Sequence, residues 1–260
     1  MRLTRALFLL AWLVACTPTS PSPVASPAAS TPSPMMEAPT ITEPSPPESA
    51  LVTIEGAGGL YLHGIWRPTA GANTPAVLLL HMYAGDSTDW DPLATRLRDA
   101  GIASLAIDLR GHGATGGAED WELACQDVVA AHRWLAGQDS LDPSRIAVLG
   151  ASIGANLSLW LGVQEPDIAA LLLLSPGFEY FRLPITGLIE AYGDRPIFLA
   201  ASDRDSYSAD TVRALAQSAT GPVELVVYPA AGHGTDMLVA EPELTEEILG
   251  FLQEHLIGPP

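Results

Sequence analysis

Ser152 stands between two glycines in Gly150-Ala151-Ser152-Ile153-Gly154, and Asp203, Asp205 and His233 follow it along the chain. A serine, a carboxylate and an imidazole are the parts needed to attack an acyl carbon. The hydroxyl is a weak nucleophile until a base takes its proton. An imidazole titrates near neutrality, so it can accept that proton and later return it. A carboxylate on the other ring nitrogen fixes the tautomer and stabilises the imidazolium. Small residues at −2 and +2 suit a serine raised on a sharp strand-to-helix turn, where other backbone comes close. They suit equally an ordinary tight connection whose serine caps the next helix.

The elements that must position these groups are legible in the apolar pattern. Segments 51–55 and 60–66, around the glycine-rich turn 56–59, read as an antiparallel hairpin. Segments 75–81, 102–108, 145–149, 170–175, 196–201 and 223–228 are short, largely apolar runs, as expected of strands buried on both faces. Helical patterns fall at 89–100, 121–135, 155–163, 209–218 and 244–256. Strands alternating with helices imply an α/β fold: a mostly parallel sheet of eight strands with helices on both faces. Ligands of such sheets bind outside the carboxyl ends of the strands. Ser152, the Asp203/Asp205 pair and His233 each lie just past such an end.

At these residues the chain resembles the α/β-hydrolase superfamily, and within it small, lidless, dienelactone-hydrolase-like esterases. The resemblance covers about residues 51–257. It is carried by VLGASIGA around Ser152, AIDLRGHG at 106–113, PIFLAASDRD at 196–205 and AGHG at 231–234. It implies Ser152 as nucleophile, His233 as general base and Asp205, nine residues after Pro196, as the acid, with Asp203 as the fallback. It further implies an oxyanion hole from the backbone N–H groups of Ile153 and Tyr83. Here the chain departs from the family: His81-Met82-Tyr83 stands where many members read His-Gly-x, so the loop's backbone path is open. The Tyr83 phenol could enter the site or pack at its rim. Lids in this superfamily are usually inserted between the strands that here end at Ser175 and begin at Pro196. The 18 residues 178–195 are too few for a cap domain. Phe178, Tyr180, Phe181 and Tyr192 could line an open pocket or pack a short helix onto the sheet.

Other signals weigh less. Gly111-His112-Gly113-Ala114-Thr115-Gly116 matches a dinucleotide fingerprint, but no helix pattern begins directly after it. The resemblance makes it a structural loop with His112 as a pinning residue, and His81 a support of the oxyanion loop. No metal-ligand spacing occurs, and no cofactor is expected. Asp86 to Asp91 reads as helix capping. Cys125 reads as a buried filler of its helix.

The chain has 260 residues and a formal charge of −18, and all twelve basic residues are arginine. That charge argues against nucleic acid and anionic membrane surfaces as partners. Residues 1–15 carry Arg2, Arg5 and a ten-residue apolar run, about half the length of a membrane span, and read as a signal peptide. Leu13-Val14-Ala15-Cys16 resembles a bacterial lipobox, which implies lipidation at Cys16. Residues 17–50 contain ten Pro, seven Ser and five Thr and read as a disordered tether. The expected domains are therefore 1–15, 16–50 and 51–260. The expected protein is a lipid-anchored, extracytoplasmic serine hydrolase in a bacterial envelope, acting on small to medium esters. A peptidase or another acyl-transfer hydrolase on the same triad, and a tethered, non-catalytic binding domain, are the rivals.

Overall fold

The computed structural model describes residues 48–258. The segment expected to be a signal peptide, Cys16 and most of the expected tether lie outside the described residues.

The hairpin is β1 (Ala50–Glu55) and β2 (Tyr61–Arg67). It is followed by β3 (Thr74–Leu80), α1 (Asp91–Asp99), β4 (Ala103–Ile107), α2 (Trp121–Ala136), β5 (Leu141–Ala151), α3 (Ile153–Gln164) and β6 (Ala170–Leu174). A small ribbon, β7 (Glu179–Tyr180) and β8 (Leu183–Pro184), leads into α4 (Leu188–Tyr192). The chain closes with β9 (Ile197–Ser202), α5 (Ser206–Ser218), β10 (Val223–Tyr228), α6 (Asp236–Ala240) and α7 (Glu243–Leu252).

Eight strands form one sheet in the order β1-β2-β4-β3-β5-β6-β9-β10. β1 and β2 are antiparallel to their neighbours, and every other pairing is parallel. The order reverses at β3: β4 lies on one side of it and β5 on the other. That reversal opens a crevice between the carboxyl ends of β3 and β5, where ligands of open sheets bind.

All residues of β3, β4, β6 and β9 are buried. Alternation along β3 separates the two cores. Leu78 and Leu80 face the layer of α2, α3 and α5, where Val128, Leu135, Leu157, Leu161 and Val212 pack. Val77 and Leu79 face α1 and α7, meeting Leu93, Leu97, Ile248 and Leu252.

Several boundaries differ from the sequence reading. β5 begins at Leu141, four residues early, because Leu141 pairs with Thr74 across a register shift that isolated periodicity does not reveal. α3 begins at Ile153 rather than at 155: Gly154 has low helix propensity, but a tertiary contact fixes it in the first turn. α5 begins at Ser206 because Asp205 caps it. α7 ends at Leu252 and a π-turn continues through Ile257. The β7–β8 ribbon, α4 and α6 are too short to carry a period. No cap domain is inserted among the described residues, and none of their helices is long and apolar enough to cross a membrane.

Candidate active site

The turn at Ser152 is as sharp as its flanking glycines suggest. A Cβ on Gly154 would lie 2.3 Å from the Leu80 carbonyl oxygen and 2.6 Å from that of His81. Only glycine lets α3 start hard against the end of β3. Ser152 itself takes φ 55° and ψ −119°, a strained conformation for a residue with a side chain. Its N–H donates to the Leu174 carbonyl at 2.8 Å, and its carbonyl accepts from Ala155 and Asn156. Its hydroxyl caps nothing in α3, so the helix-cap reading of this serine fails. Ile153 is the first residue of α3, and its N–H is one of the four that a helix leaves without an internal acceptor.

Asp205 and His233 come together. The His233 Nδ1–H donates to Asp205 Oδ2 at 2.6 Å, so in the neutral ring Nε2 is the nitrogen that accepts. Asp203 turns the other way, with its side chain half exposed and paired to Arg213 at 2.5 Å. The His233 loop hangs from two strand ends. The Ala231 N–H donates to Ser202 Oγ at 3.0 Å, and the Gly234 N–H to Ser175 Oγ at 2.9 Å. Gly234 has φ 59°, and a Cβ there would meet Met82 Sδ at 2.7 Å and the Ala151 Cβ at 3.5 Å. The residue after His233 thus packs against the residue before Ser152.

His81 sets the loop after β3. Its Nε2 accepts from the Leu109 N–H at 2.9 Å, so its Nδ1–H donates to the Met82 carbonyl at 2.7 Å. Burial pushes its pKa down to about 4, so it stays neutral. Asp108 accepts from the N–H groups of Ser87 and Ala114, tying this loop to the one after β4. Met82 and Tyr83 keep negative φ, and Ala84, at φ 62°, makes the left-handed step. Methionine at the family's glycine position is therefore unstrained. The Tyr83 phenol donates to Glu119 at 3.2 Å and its ring packs on Phe181, with centroids 4.8 Å apart. The side chain is a rim residue.

The four aromatic residues of 178–195 divide. Tyr192 is buried under Arg195, whose guanidinium lies 4.0 Å from the ring centroid. Phe178 packs on Tyr207. Tyr180 turns inward, its ring perpendicular to His233 at 6.3 Å and its hydroxyl 3.2 Å from Ser208 Oγ. Burial raises the pKa of that hydroxyl, so it carries its proton. Tyr180, Ser175 and Ser202 are site residues that motif reasoning did not single out for these contacts.

The glycine-rich loop 111–116 closes on itself: Gly111 N–H donates to Gly116 O at 2.8 Å, and Gly116 N–H to His112 O at 2.9 Å. With these N–H groups spent, it is no phosphate cradle. Arg110 forms a bidentate pair with buried Asp127, which also accepts from the Ala57 N–H and pins the hairpin turn to α2. Burial, with Glu122 and Asp127 nearby, pushes the Cys125 thiol up to about 11, so it is no nucleophile.

Residues 71–193 match the family described as serine aminopeptidase, S33, a stretch that holds Ser152 and stops before Asp205. An uncharacterized protein of Mycobacterium tuberculosis is 33% identical over 225 residues, 79% of this chain and 80% of its own length. An esterase of Pyrococcus furiosus superposes with a TM-score of 0.67 at 22% identity, over 80% of this chain and 91% of the esterase. A dienelactone hydrolase from Anabaena variabilis gives 0.66 at 20% identity, over 81% and 99%. At such identities these two structures speak to the fold. The chain belongs to the same family as the mycobacterial protein, and its fold is that of the α/β hydrolases.

Proposed function

We propose that this protein is a serine hydrolase that cleaves small to medium carboxylic esters through an acyl-enzyme. The observation that carries the reading is the 2.6 Å contact between Asp205 and His233, on a loop packed against the turn that raises Ser152. His233 Nε2 takes the Ser152 proton as Oγ attacks the ester carbonyl carbon. The C–O double bond opens to an oxyanion, which the N–H groups of Ile153 and Tyr83 stabilise. No described residue accepts from the Tyr83 N–H, which leaves it available for this role. Collapse expels the alcohol, which takes its proton from the His233 imidazolium. Water, activated by the same imidazole, then releases the acid and restores Ser152.

Esterase and dienelactone hydrolase among the structural neighbours support ester substrates. The serine aminopeptidase description of the matching family supports a second reading, hydrolysis of peptide amides on the same groups. A fluorophosphonate probe tests both against a non-catalytic binding domain. Wild type should be labelled at Ser152, and Ser152→Ala should neither label nor turn over p-nitrophenyl acetate. An unlabelled wild type would remove the enzyme reading. Faster turnover of aminoacyl amides than of matched esters would favour the peptidase.

We further propose that Cys16 is lipidated and holds the hydrolase domain at an extracytoplasmic face of a bacterial envelope. The apolar run ending in Leu13-Val14-Ala15-Cys16 and the Pro-rich segment after it support this.

A further inference from the structure

A cleft of about 870 Å³ lies between the start of α2 and the β7–β8 ribbon. Ser152 and His233 do not line it. Trp121, Trp160, Phe181 and Leu183 do, together with Glu122 and Arg182.

The ribbon joins this cleft to the triad through two consecutive residues. Tyr180 faces His233 at 6.3 Å between ring centroids. Phe181, the next residue, stacks on Trp121 at 4.8 Å with 22° between planes, and reaches the Tyr83 ring at 4.8 Å. Tyr83 lies just past the end of β3, and in the proposed mechanism its own N–H is aimed at the oxyanion. An aromatic shelf thus runs from the reacting groups to the cleft.

The shelf is built at a conformational cost. Phe181 and Arg182 form the two-residue turn between β7 and β8, with φ of 49° and 66°. Turns of this kind favour Asn-Gly, because both residues must be left-handed. A bulky aromatic and an arginine held there are strained, and such strain clusters at ligand-binding sites. Although apolar, Phe181 remains 44% exposed, so the strained turn presents a ring to solvent rather than burying it.

We infer that this cleft binds the bulky, uncharged apolar part of the ester, an aryl or medium-chain alkyl group, and that Phe181 and Trp121 set the preference for it. The inference rests on the serine-hydrolase reading and names its substrate class. The volume falls in the range of small-molecule sites, which an acetyl group would leave almost empty. Each methylene buried there should raise kcat/KM by roughly fourfold. Glu119, Asp120 and Glu122 outnumber Arg182 along the lining, so an anionic group of the same size is disfavoured.

The test uses the full chain and two ester series. One lengthens the acyl group of p-nitrophenyl esters from acetate to octanoate and includes phenylacetate. The other enlarges the alcohol of acetate esters from ethyl to benzyl and octyl. Wild type should prefer the larger member by at least tenfold in one series, which tells whether the acyl or the alcohol side enters the cleft. A hemisuccinate ester should be poorer than the neutral ester of equal length. In Trp121→Leu, and in Phe181→Gly, which suits the left-handed turn, the ratio of kcat/KM for the large ester over the small one should fall at least tenfold. An unchanged ratio in both variants, with small esters still hydrolysed by wild type, would overturn the cleft assignment alone. No ester turnover by wild type would overturn it together with the hydrolase reading.

Discussion

Asp205 meets His233 at 2.6 Å, whereas Asp203, two residues earlier, is held by Arg213 on the exposed side of the same turn. The chain leaves β9 at Ser202, and the Asp205 N–H donates back to the Ser202 carbonyl at 2.9 Å. That turn sends the two carboxylates in different directions. Losing the carboxylate behind a catalytic histidine costs about 10⁴ in kcat in a serine protease. Asp205→Asn should therefore lose most ester turnover. Asp203→Asn should change it by less than about tenfold, or ~1.4 kcal/mol of barrier. Both should keep the wild-type melting temperature to within a few degrees. Full activity in Asp205→Asn would mean that another group orients His233.

Ser175 is fully buried, and its Oγ accepts from Gly234 and donates to Met237 Sδ at 3.3 Å. In Ser175→Ala the Gly234 N–H loses its partner in a dry setting, at a cost of about 1–3 kcal/mol. Thermal melting should register that loss. Ester turnover should fall further than stability alone explains, because one end of the His233 loop comes free. Ser202→Ala releases the other end at Ala231. The two variants act on one short loop, so their stability effects should couple by more than ~0.5 kcal/mol in a double-mutant cycle. Strict additivity would show that the two ends are held independently.

His132 is buried in α2, and neither ring nitrogen has a partner among the described residues. Burial lowers its pKa, with Arg133 adding to the effect and Glu165 and Asp167 opposing it. The sign follows from linkage. The unfolded chain takes up this proton near pH 6.5 while the folded one resists it, so the group lowers stability as pH falls below that value. His132→Leu removes both unpaired nitrogens. It should be at least as stable as wild type at pH 8, and its melting-temperature advantage should grow between pH 7 and 5. An advantage that shrinks on acidification would contradict a buried neutral imidazole.

Cys16→Ser should move the protein from the membrane to the soluble fraction or stall its maturation. Stable anchoring takes more than a single acyl chain. Mass spectrometry of the mature N-terminus checks the modification directly, and an unmodified terminus on wild-type protein would remove the proposed anchor.

Much of the architecture was present in local sequence. A parallel strand buried on both faces must be a nearly continuous apolar run, so β3, β4, β6 and β9 announced themselves, and with them the strand ends where reactive residues sit. Gly150 and Gly154 around Ser152 likewise signalled a close approach, later seen as Gly154 against Leu80 and His81. Short elements escaped because β7, β8 and α6 complete too little of any period. The strained Phe181-Arg182 turn escaped because neither residue favours positive φ.

The amino-acid sequence by itself determined the fold class, the order of a serine, a pair of aspartates and a histidine at successive strand ends, and the space too small for a cap domain, since each is written along the chain. Tertiary structure alone decided which aspartate faces His233, which aromatic residue turns toward it and where the large cleft opens. Those choices rest on contacts between residues far apart in the chain, such as Asp205 with His233, 28 positions apart, Ser175 with Gly234, 59 apart, and Trp121 with Phe181. No local propensity encodes such pairings. They form only when the sheet brings separate strand ends side by side and each buried N–H must find an acceptor there.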